Sequence, residues 1–254
     1  MFRYFVFYYL QWRDNLKCIN NGKKIEAMHD KQTTHIMAAW LWHDRLQRTG
    51  LGWLQDTSYN MIYHSLICAF VDRWHKETSS FHLPFGEMAV TLDDVSCLLH
   101  LPIDGMLVSH EAITWDDTME WMVTHLGSDP GEALVEVTHT KGAHCRFVYL
   151  RRIFKERMLE QLTLETEHGV TQEVWRMWDQ AVRIYLLYLV GITLFTDKSK
   201  NDVDVVYLRY FGDLDVFADY SWGAAAQAHL YRELNKVARW NCGQVSGYLT
   251  LLHV

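Results

Sequence analysis

FHLPFGEMAVTLDDVSCLLHLPIDG, residues 81–105, is the stretch that decides the fold, because its hydrophobic period changes in the middle. Apolar and polar residues first alternate on both sides of a PFGE turn, which is the pattern of a short β-hairpin. From Thr91 onward the apolar residues follow a helical spacing: Val95, Leu98 and Leu99. The sequence therefore predicts a hairpin near residues 80–91 that leads directly into a helix.

This helix carries its own start signal. Thr91-Leu92-Asp93-Asp94 fits the capping-box pattern, in which the threonine caps the helix and Asp94 reaches back to it. Asp93 and Asp94 also lie in the first turn, where a negative charge complements the helix dipole by about 0.3–1 kcal/mol. Thr114 and Asp117 repeat the pattern before a second apolar stretch. We therefore predict a structural role for these aspartates.

The composition of the whole chain favours helices around this unit. The 254 residues include only 3 Pro and 14 Gly, which are few turn-forming residues for a β-fold with many turns. Aromatic residues make up 14% of the chain, with 11 Trp, and they supply much buried area per residue. The prediction is a mainly α, multi-helix globular domain with one short β-hairpin.

Helical patterns occupy most of the remaining chain: residues 34–47, 58–74, 114–126, 146–162, 172–194, 203–211, 224–240 and 243–254. In the second of these, Ser58 is the predicted cap, and an apolar stripe is predicted at Tyr63, Leu66, Ile67, Phe70 and Trp74. Residues 127–142 are predicted as a polar loop around an Asp-Pro-Gly turn. The helix at 172–194 is apolar on all sides from Ile184 onward and should be buried.

The two ends of the chain are predicted to differ. Residues 1–31 lack a coherent pattern and are expected to form an N-terminal extension without order, followed by one domain over residues 32–254. The last predicted helix begins at residue 243 and the sequence stops inside it, so we expect an incomplete C-terminus. The apolar runs MFRYFVFYYL and IYLLYLVGITLFT are too short to cross a bilayer, which needs about 20 residues. No membrane partner is predicted.

Charge and cysteine content narrow the class of protein further. The formal net charge of −7 argues against a protein that mainly grips nucleic acid backbones. A basic cluster lies within the helical pattern after residue 145: Arg146, Arg151, Arg152, Lys155 and Arg157. We interpret it as a solvated helix face, with nucleic acid binding as the alternative. The 5 cysteines are odd in number and scattered, which favours a reducing compartment.

Two groups of residues have the chemistry of metal ligands. Glu87, Asp93 and Asp94 are an acidic triad, but two adjacent acids on one helical turn point apart, so the capping interpretation is preferred. His139, His144 and Cys145 offer zinc-type ligands, yet a fourth ligand at a recognisable spacing is missing. We predict no metal site for either group.

Candidate nucleophiles and cofactor anchors are also weak. Ser96 and Cys97 lie near His100 in sequence, but the serine is in a helix and nothing near the cysteine lowers its pKa. The sequence contains neither GxxxxGK[ST] nor GxGxxG, and Lys198 has no visible phosphate cradle beside it. The residues therefore predict a protein that is not an enzyme and carries no cofactor.

Several blocks together resemble the plant mobile domain family. The opening stretch is similar to the family signature, FVDRW at 70–74 resembles the helix before it, and YSWG at 220–223 with LYREL at 230–234 resembles a later helix. The family-signature positions are Trp74, Phe81, Pro84, Gly86, Glu87, Thr91, Leu92, Asp93, Asp94, Val95, Leu101, Pro102, Gly105, Trp222, Gly223 and Tyr231. His100 departs from the pattern, because many members have Gly there.

This resemblance implies a function that the residues alone do not. Members of the family similar to this chain act in the nucleus in meristem maintenance, plant development and silencing of transposable elements, without catalysis. The resemblance also implies a phosphatase-like partner of the plant PP7 type, although phosphatase motifs are absent from this sequence. The family's "aminotransferase-like" label has no cofactor site to support it. The alternatives are a transposon-derived protein that binds chromatin or DNA, an enzyme of unrecognised type, and a non-functional gene fragment.

Overall fold

The computed structural model describes residues 16–19, 23–26, 28–29, 37, 40–55, 63–109, 111–198, 201–238 and 243–252. Helices dominate these residues, as the sequence predicts. The α-helices are α1 (Lys23–Glu26), α2 (Trp40–Arg48), α3 (His64–Arg73), α4 (Leu92–Leu99), α5 (Trp115–Leu126), α6 (Pro130–Thr140), α7 (Phe147–His168), α8 (Gln172–Ile192) and α9 (Trp222–Val237). Short 3₁₀ turns occupy Gly52–Gln55, Val205–Tyr210, Phe217–Asp219 and Leu249–Leu252.

Strands in the described residues are short and pair in small groups. They are β1 (Lys17–Cys18), β2 (Trp74–His75), β3 (Ser80–Leu83), β4 (Gly86–Met88), β5 (His144–Arg146), β6 (Asp202–Asp204) and β7 (Gln244–Val245). The predicted hairpin is confirmed: β3 and β4 pair antiparallel, and β2 adds a third strand on the other side of β3. β5 pairs antiparallel with β6, and β1 pairs parallel with β7.

Helix α8 is the centre of the core. Its residues from Ile184 to Ile192 are all buried, which confirms the prediction of a helix without an exposed face. The ring of Tyr185 lies 5.3 Å from that of Trp42 on α2 and 5.9 Å from that of Phe154 on α7. Large aromatic side chains therefore join three helices at one point, as the high aromatic content suggests.

The polar stretch at 127–142 is a helix rather than the predicted loop. Asp129 accepts hydrogen bonds from the backbone N–H groups of Gly131 and Glu132, and Pro130 occupies the first helical position. Proline is well suited to that position because it has the required φ and no N–H group to satisfy. The Asp-Pro-Gly sequence is therefore a helix start, and Ala133 and Val137 anchor α6 in the core.

The apolar stripe predicted on α3 is partly wrong. Ile67 and Val71 are its buried residues, whereas Tyr63 and Leu66 are exposed. Trp74 is buried, but it lies in β2, because the helix ends at Arg73. The predicted cap Ser58 lies outside the described residues.

Part of the predicted N-terminal extension packs on the domain. Leu16, Ile19, Ile25 and Met28 are buried, and the hydroxyl of Tyr188 donates to the carbonyl of Lys24 at 2.6 Å. Four of the described residues of this segment are therefore buried against the domain. The domain boundary near residue 31 stays a prediction.

The last described segment also differs from its prediction. Residues 243–252 form β7 and a 3₁₀ turn rather than the start of a long helix. Leu249, Leu251 and Leu252 are buried. Residues 203–211, predicted as a helix, likewise begin in β6 and continue as a 3₁₀ turn. No helix among the described residues is long and apolar enough to cross a membrane.

Candidate functional site

The capping box at the start of α4 is formed as predicted. The backbone N–H of Asp94 donates to the Thr91 hydroxyl at 3.1 Å, and the backbone N–H of Thr91 donates to the Asp94 carboxylate at 2.8 Å. The carboxylate of Asp94 accepts hydrogen bonds from the backbone N–H and from the hydroxyl of Thr91, and these two bonds hold its pKa below the usual range. Thr114 and Asp117 form the same box at α5. Both threonine–aspartate pairs therefore have the structural role that the sequence predicts.

The hairpin is fixed to α9 by aromatic side chains. The ring of Trp74 lies 4.9 Å from Phe81 on β3 and 4.9 Å from Tyr231 on α9. The Trp74 indole N–H donates to the side chain of Asn235 at 2.8 Å, and the Tyr231 hydroxyl donates to the carbonyl of Val90 at 2.6 Å. Two signature blocks that are distant in sequence therefore meet in one cluster.

Two signature glycines allow close backbone contacts on the far side of α4. The N–H of Gly223 donates to the carbonyl of Pro102 at 2.8 Å, and a β-carbon at Gly223 would lie 3.0 Å from that oxygen. Gly105 has a φ of +115°, and a β-carbon there would lie 2.1 Å from the carbonyl oxygen of Asp219. Only glycine fits at Gly105 without movement of the backbone.

Trp222 anchors the first turn of α9 in the core. Its side chain is fully buried, its ring stacks on Phe217 at 4.6 Å, and its indole N–H donates to the Phe217 carbonyl at 3.0 Å. We name the assembly of the hairpin, α4, residues 101–106 and α9 the signature unit. The buried signature residues pack in the core or against the backbone: Trp74, Phe81, Val95, Leu101, Trp222 and Gly223.

The predicted acidic triad does not form one site. Asp94 is held by Thr91, whereas Glu87 accepts a hydrogen bond from Ser80 at 3.0 Å and lies 3.1 Å from His82. Across the described ranges, the three carboxylates of Glu87, Asp93 and Asp94 do not converge at metal-binding distances.

His100 does not act on the two candidate nucleophiles. It is the C-cap of α4 with a φ of +52°, and its ring lies 5.6 Å from that of Trp53. Within the described part of the chain, no side-chain hydrogen bond joins His100 to Ser96 or Cys97. The left-handed backbone explains why Gly is common at this position in the family, because Gly adopts that conformation most readily.

The predicted zinc candidates also separate. Cys145 is buried, and burial raises the pKa of its thiol well above the usual range. His139 lies 3.3 Å from a guanidinium nitrogen of Arg146. His144 instead approaches Asp197 and Asp202, and the three ligand atoms lie within 4.8 Å of one another. Residue spacing could not reveal this group, because its members come from distant segments.

Three of the five residues of the basic cluster, which spans the end of β5 and part of α7, form ion pairs with carboxylates. Arg146 binds the buried carboxylate of Glu136 at 2.7 Å, Arg152 binds Glu132 at 2.8 Å, and Arg157 donates to Glu160 at 2.9 Å. A phosphate backbone would have to compete with these carboxylates for the arginines. These ion pairs support the helix-face interpretation over nucleic acid binding for Arg152, whereas Arg146 binds a buried carboxylate.

The hairpin presents two large apolar side chains to solvent, Phe85 in its turn and Met88 on β4. Phe85 is 78% exposed and Met88 is 53% exposed, and we name these two residues the hairpin tip. Met88 is the cross-strand neighbour of the buried Phe81. The tip therefore stands on a base whose position is set by the Trp74 cluster. Sequence patterning identified the hairpin but gave no reason to select its tip.

The fold and the signature unit define a class: a mainly α-helical domain in which a hairpin and a capped helix are fixed to a later helix. The chain matches the model of the plant mobile domain over residues 50–254, and it belongs to that family. No solved structure is significantly similar to it.

Three relatives from Arabidopsis thaliana match most of this chain but less than half of their own lengths. Protein MAIN-LIKE 1 is 32% identical over 91% of this chain and 43% of its own. Protein MAINTENANCE OF MERISTEMS is 30% identical over 92% of this chain and 46% of its own. Serine/threonine-protein phosphatase 7 long form homolog is 33% identical over 83% of this chain and 14% of its own.

Proposed function

We propose that this chain is a non-enzymatic protein-interaction module of the plant nucleus, acting in meristem maintenance, development and the silencing of transposable elements. Family membership and a relative named for the maintenance of meristems support the developmental role. The signature residues support the non-catalytic reading, because capping, packing and close backbone contacts account for them. No reaction is needed to explain why these residue types occur at these positions.

The observation that carries the proposal is the exposed hairpin tip. Large apolar side chains on a surface mark binding sites when they are held in place by a rigid base. Phe85 and Met88 meet this description, since β3 is fixed by Trp74 and Tyr231. An aromatic side chain that inserts into a partner's pocket is a common source of binding energy.

The partner we propose is a phosphatase-like protein of the plant PP7 type. The relative named serine/threonine-protein phosphatase 7 long form homolog carries a matching segment over 14% of its length. This chain would then supply the interaction surface and the phosphatase-like protein the chemistry.

The test is affinity purification of the tagged chain from plant nuclei, followed by mass spectrometry. We expect a phosphatase-like protein at a near-stoichiometric level with the native chain. Phe85→Ala combined with Met88→Ala should remove it. Val170→Ala is the matched control, because Val170 is 55% exposed and follows α7, outside the signature unit.

Each other outcome contradicts part of the proposal. Equal recovery with the tip variant would exclude the hairpin tip as the binding surface. A soluble chain without a partner, but with an affinity for DNA that falls steeply with salt, would favour the nucleic-acid alternative. Failure to recover any soluble chain would favour a non-functional fragment.

A further inference from the structure

A histidine and two aspartates from three separate segments meet on one side of the β5–β6 pair. His144 lies on β5, Asp202 on β6, and Asp197 in the segment that follows α8. One ligand atom from each of these side chains lies within 4.8 Å of the other two. Metal sites are built in this way, by donors that converge from separate elements onto one point.

The register of the two strands explains why His144 and Asp202 share a face. His144 is opposite Asp204, and Arg146 is opposite Asp202. Cross-strand partners lie on the same face, and alternate residues of one strand do so too. The intervening residue Cys145 is buried on the other face. The imidazole and the Asp202 carboxylate are therefore diagonal neighbours on the outer face of the pair.

Arg146, which lies opposite Asp202, forms an ion pair with Glu136 on α6. Arg146 donates to both carboxylate oxygens of Glu136, with Nε–Oε1 at 2.9 Å and Nη2–Oε2 at 2.7 Å. The Glu136 side chain is almost fully buried, so this pair is strongly held. Binding of a metal ion by His144, Asp197 and Asp202 would not require breaking that buried pair.

We propose that His144, Asp197 and Asp202 bind one zinc-type divalent transition metal ion. An imidazole nitrogen suits Zn²⁺ and its neighbours in the first transition row, and Zn²⁺ also accepts aspartate carboxylate oxygens. Calcium and magnesium prefer oxygen ligands alone, so the imidazole selects against them. With bonds of about 2.0–2.1 Å, tetrahedral ligands lie about 3.3 Å apart, so small side-chain rotations close the site.

A metal ion at this site would connect two helices of the core. Asp197 leads out of the central helix α8, and β5 leads into α7. A metal ion bound by all three side chains would therefore join the exit of α8 to the entry of α7. A fourth coordination position stays open for water or for a ligand atom from a partner. The proposal does not depend on the hairpin tip.

Titration of the metal-free full chain with Zn²⁺, followed by calorimetry, tests the proposal. We expect one ion per chain and a rise in the melting temperature on binding. Asp197→Asn and Asp202→Asn keep the shape of the side chain and remove its charge, and each should weaken binding at least about 100-fold, since second-shell changes alone cost 10–100-fold. Circular dichroism confirms that each variant is folded.

His168→Ala is the matched control for adventitious binding. His168 is an exposed histidine 3.7 Å from a carboxylate oxygen of Glu167, outside the proposed site. It should leave the Zn²⁺ affinity unchanged, whereas His144→Ala should abolish it. Absence of Zn²⁺ binding to the native chain overturns the proposal. Binding that survives both asparagine variants and His144→Ala overturns it as well.

Discussion

At the scale of single residues, Thr91 shows how a signature position contributes to folding. Its hydroxyl accepts from the Asp94 backbone and donates to the Asp94 carboxylate at 2.8 Å. Thr91→Ala removes the side-chain cap and leaves the backbone N–H of Asp94 to water. We expect a loss of about 1 kcal/mol in the free energy of unfolding, measured with urea.

Thr163→Ala is the control for this substitution. Thr163 is exposed in the middle of α7, and its hydroxyl donates to the carbonyl of Leu159 at 2.9 Å. Loss of that bond should change stability by less than about 0.5 kcal/mol. An unchanged free energy of unfolding for Thr91→Ala would contradict the capping role.

Alanine substitutions at Gly105 and Gly169 distinguish the two reasons why glycine is needed at a positive φ: backbone strain and lack of space for a β-carbon. Gly105→Ala adds both backbone strain and a contact of 2.1 Å with the Asp219 carbonyl, whereas the space around Gly169, with a φ of +71°, is open. Gly169 has a ψ of −167°, a region essentially confined to glycine, so we expect Gly169→Ala to cost about 1–3 kcal/mol from strain alone. Gly105→Ala should cost clearly more in the same urea experiment. Equal losses would show that the contact with Asp219 does not constrain the fold.

At the scale of elements, a buried polar network attaches the last segment to α9. Glu233 accepts from Ser246 at 2.8 Å and from Lys236 at 2.6 Å. His229 donates through Nε2 to the carbonyl of Thr196 at 3.0 Å and accepts at Nδ1 from Arg232 at 2.7 Å. This assignment of the ring nitrogens requires a neutral imidazole.

The network predicts that acid weakens the domain. Burial, followed by the charge of Arg232, lowers the pKa of His229 despite its bond to Thr196. The unfolded chain, with a histidine pKa of about 6.5, therefore binds a proton before the folded chain does. Stability is fully present above that value and falls as the pH drops below it. We expect a lower free energy of unfolding at pH 5.5 than at pH 7.5.

His229→Gln should flatten this dependence, because glutamine keeps a donor and does not titrate. His168→Gln is the control, since His168 is exposed and should leave the slope unchanged. The pKa of Glu233 is also lowered, because its bonds from Lys236 and Ser246 outweigh its burial. Its contribution is lost at a more acidic pH, below about 4.5. A slope that is unaffected by His229→Gln would contradict the role of His229.

Elements with local signals were predictable, and those with distant partners were not. The hairpin, both capping boxes and the buried part of α8 depend on neighbouring residues, and the sequence alone identified them. β2, β5 and β6 are two or three residues long and exist because a partner strand pairs with them. The helix α6 was missed for a different reason: Asp-Pro-Gly is compatible with a turn and with a helix start, and burial of Ala133 decides between them.

The same distinction applies to the candidate sites. The sequence alone identified the capping role of Asp94, because its partner Thr91 lies within one turn. The group formed by His144, Asp197 and Asp202 requires the β5–β6 pairing and the exit of α8, which no local pattern contains. Arg146 was assigned to a solvated face, and its buried partner Glu136 became visible only in the fold.

At the scale of the whole molecule, different residues of the signature unit stabilise the fold and form the proposed binding surface. The buried signature positions connect the hairpin to α4 and α9, whereas Phe85 and Met88 at the hairpin tip face solvent. Substitutions at the tip should therefore leave folding intact. The chain spans less than half of relatives such as Protein MAIN-LIKE 1 and Protein MAINTENANCE OF MERISTEMS, so the rest of such a protein can add contacts of its own.

The most direct measurement compares folding and partner recovery for the same variants. Phe85→Ala with Met88→Ala should keep the native free energy of unfolding within about 0.5 kcal/mol and lose the phosphatase-like partner in the nuclear purification. Thr91→Ala should lose stability and, at temperatures where it remains folded, keep the partner. Full recovery of the partner by a folded tip variant would contradict the central claim that the signature unit is a scaffold for this surface.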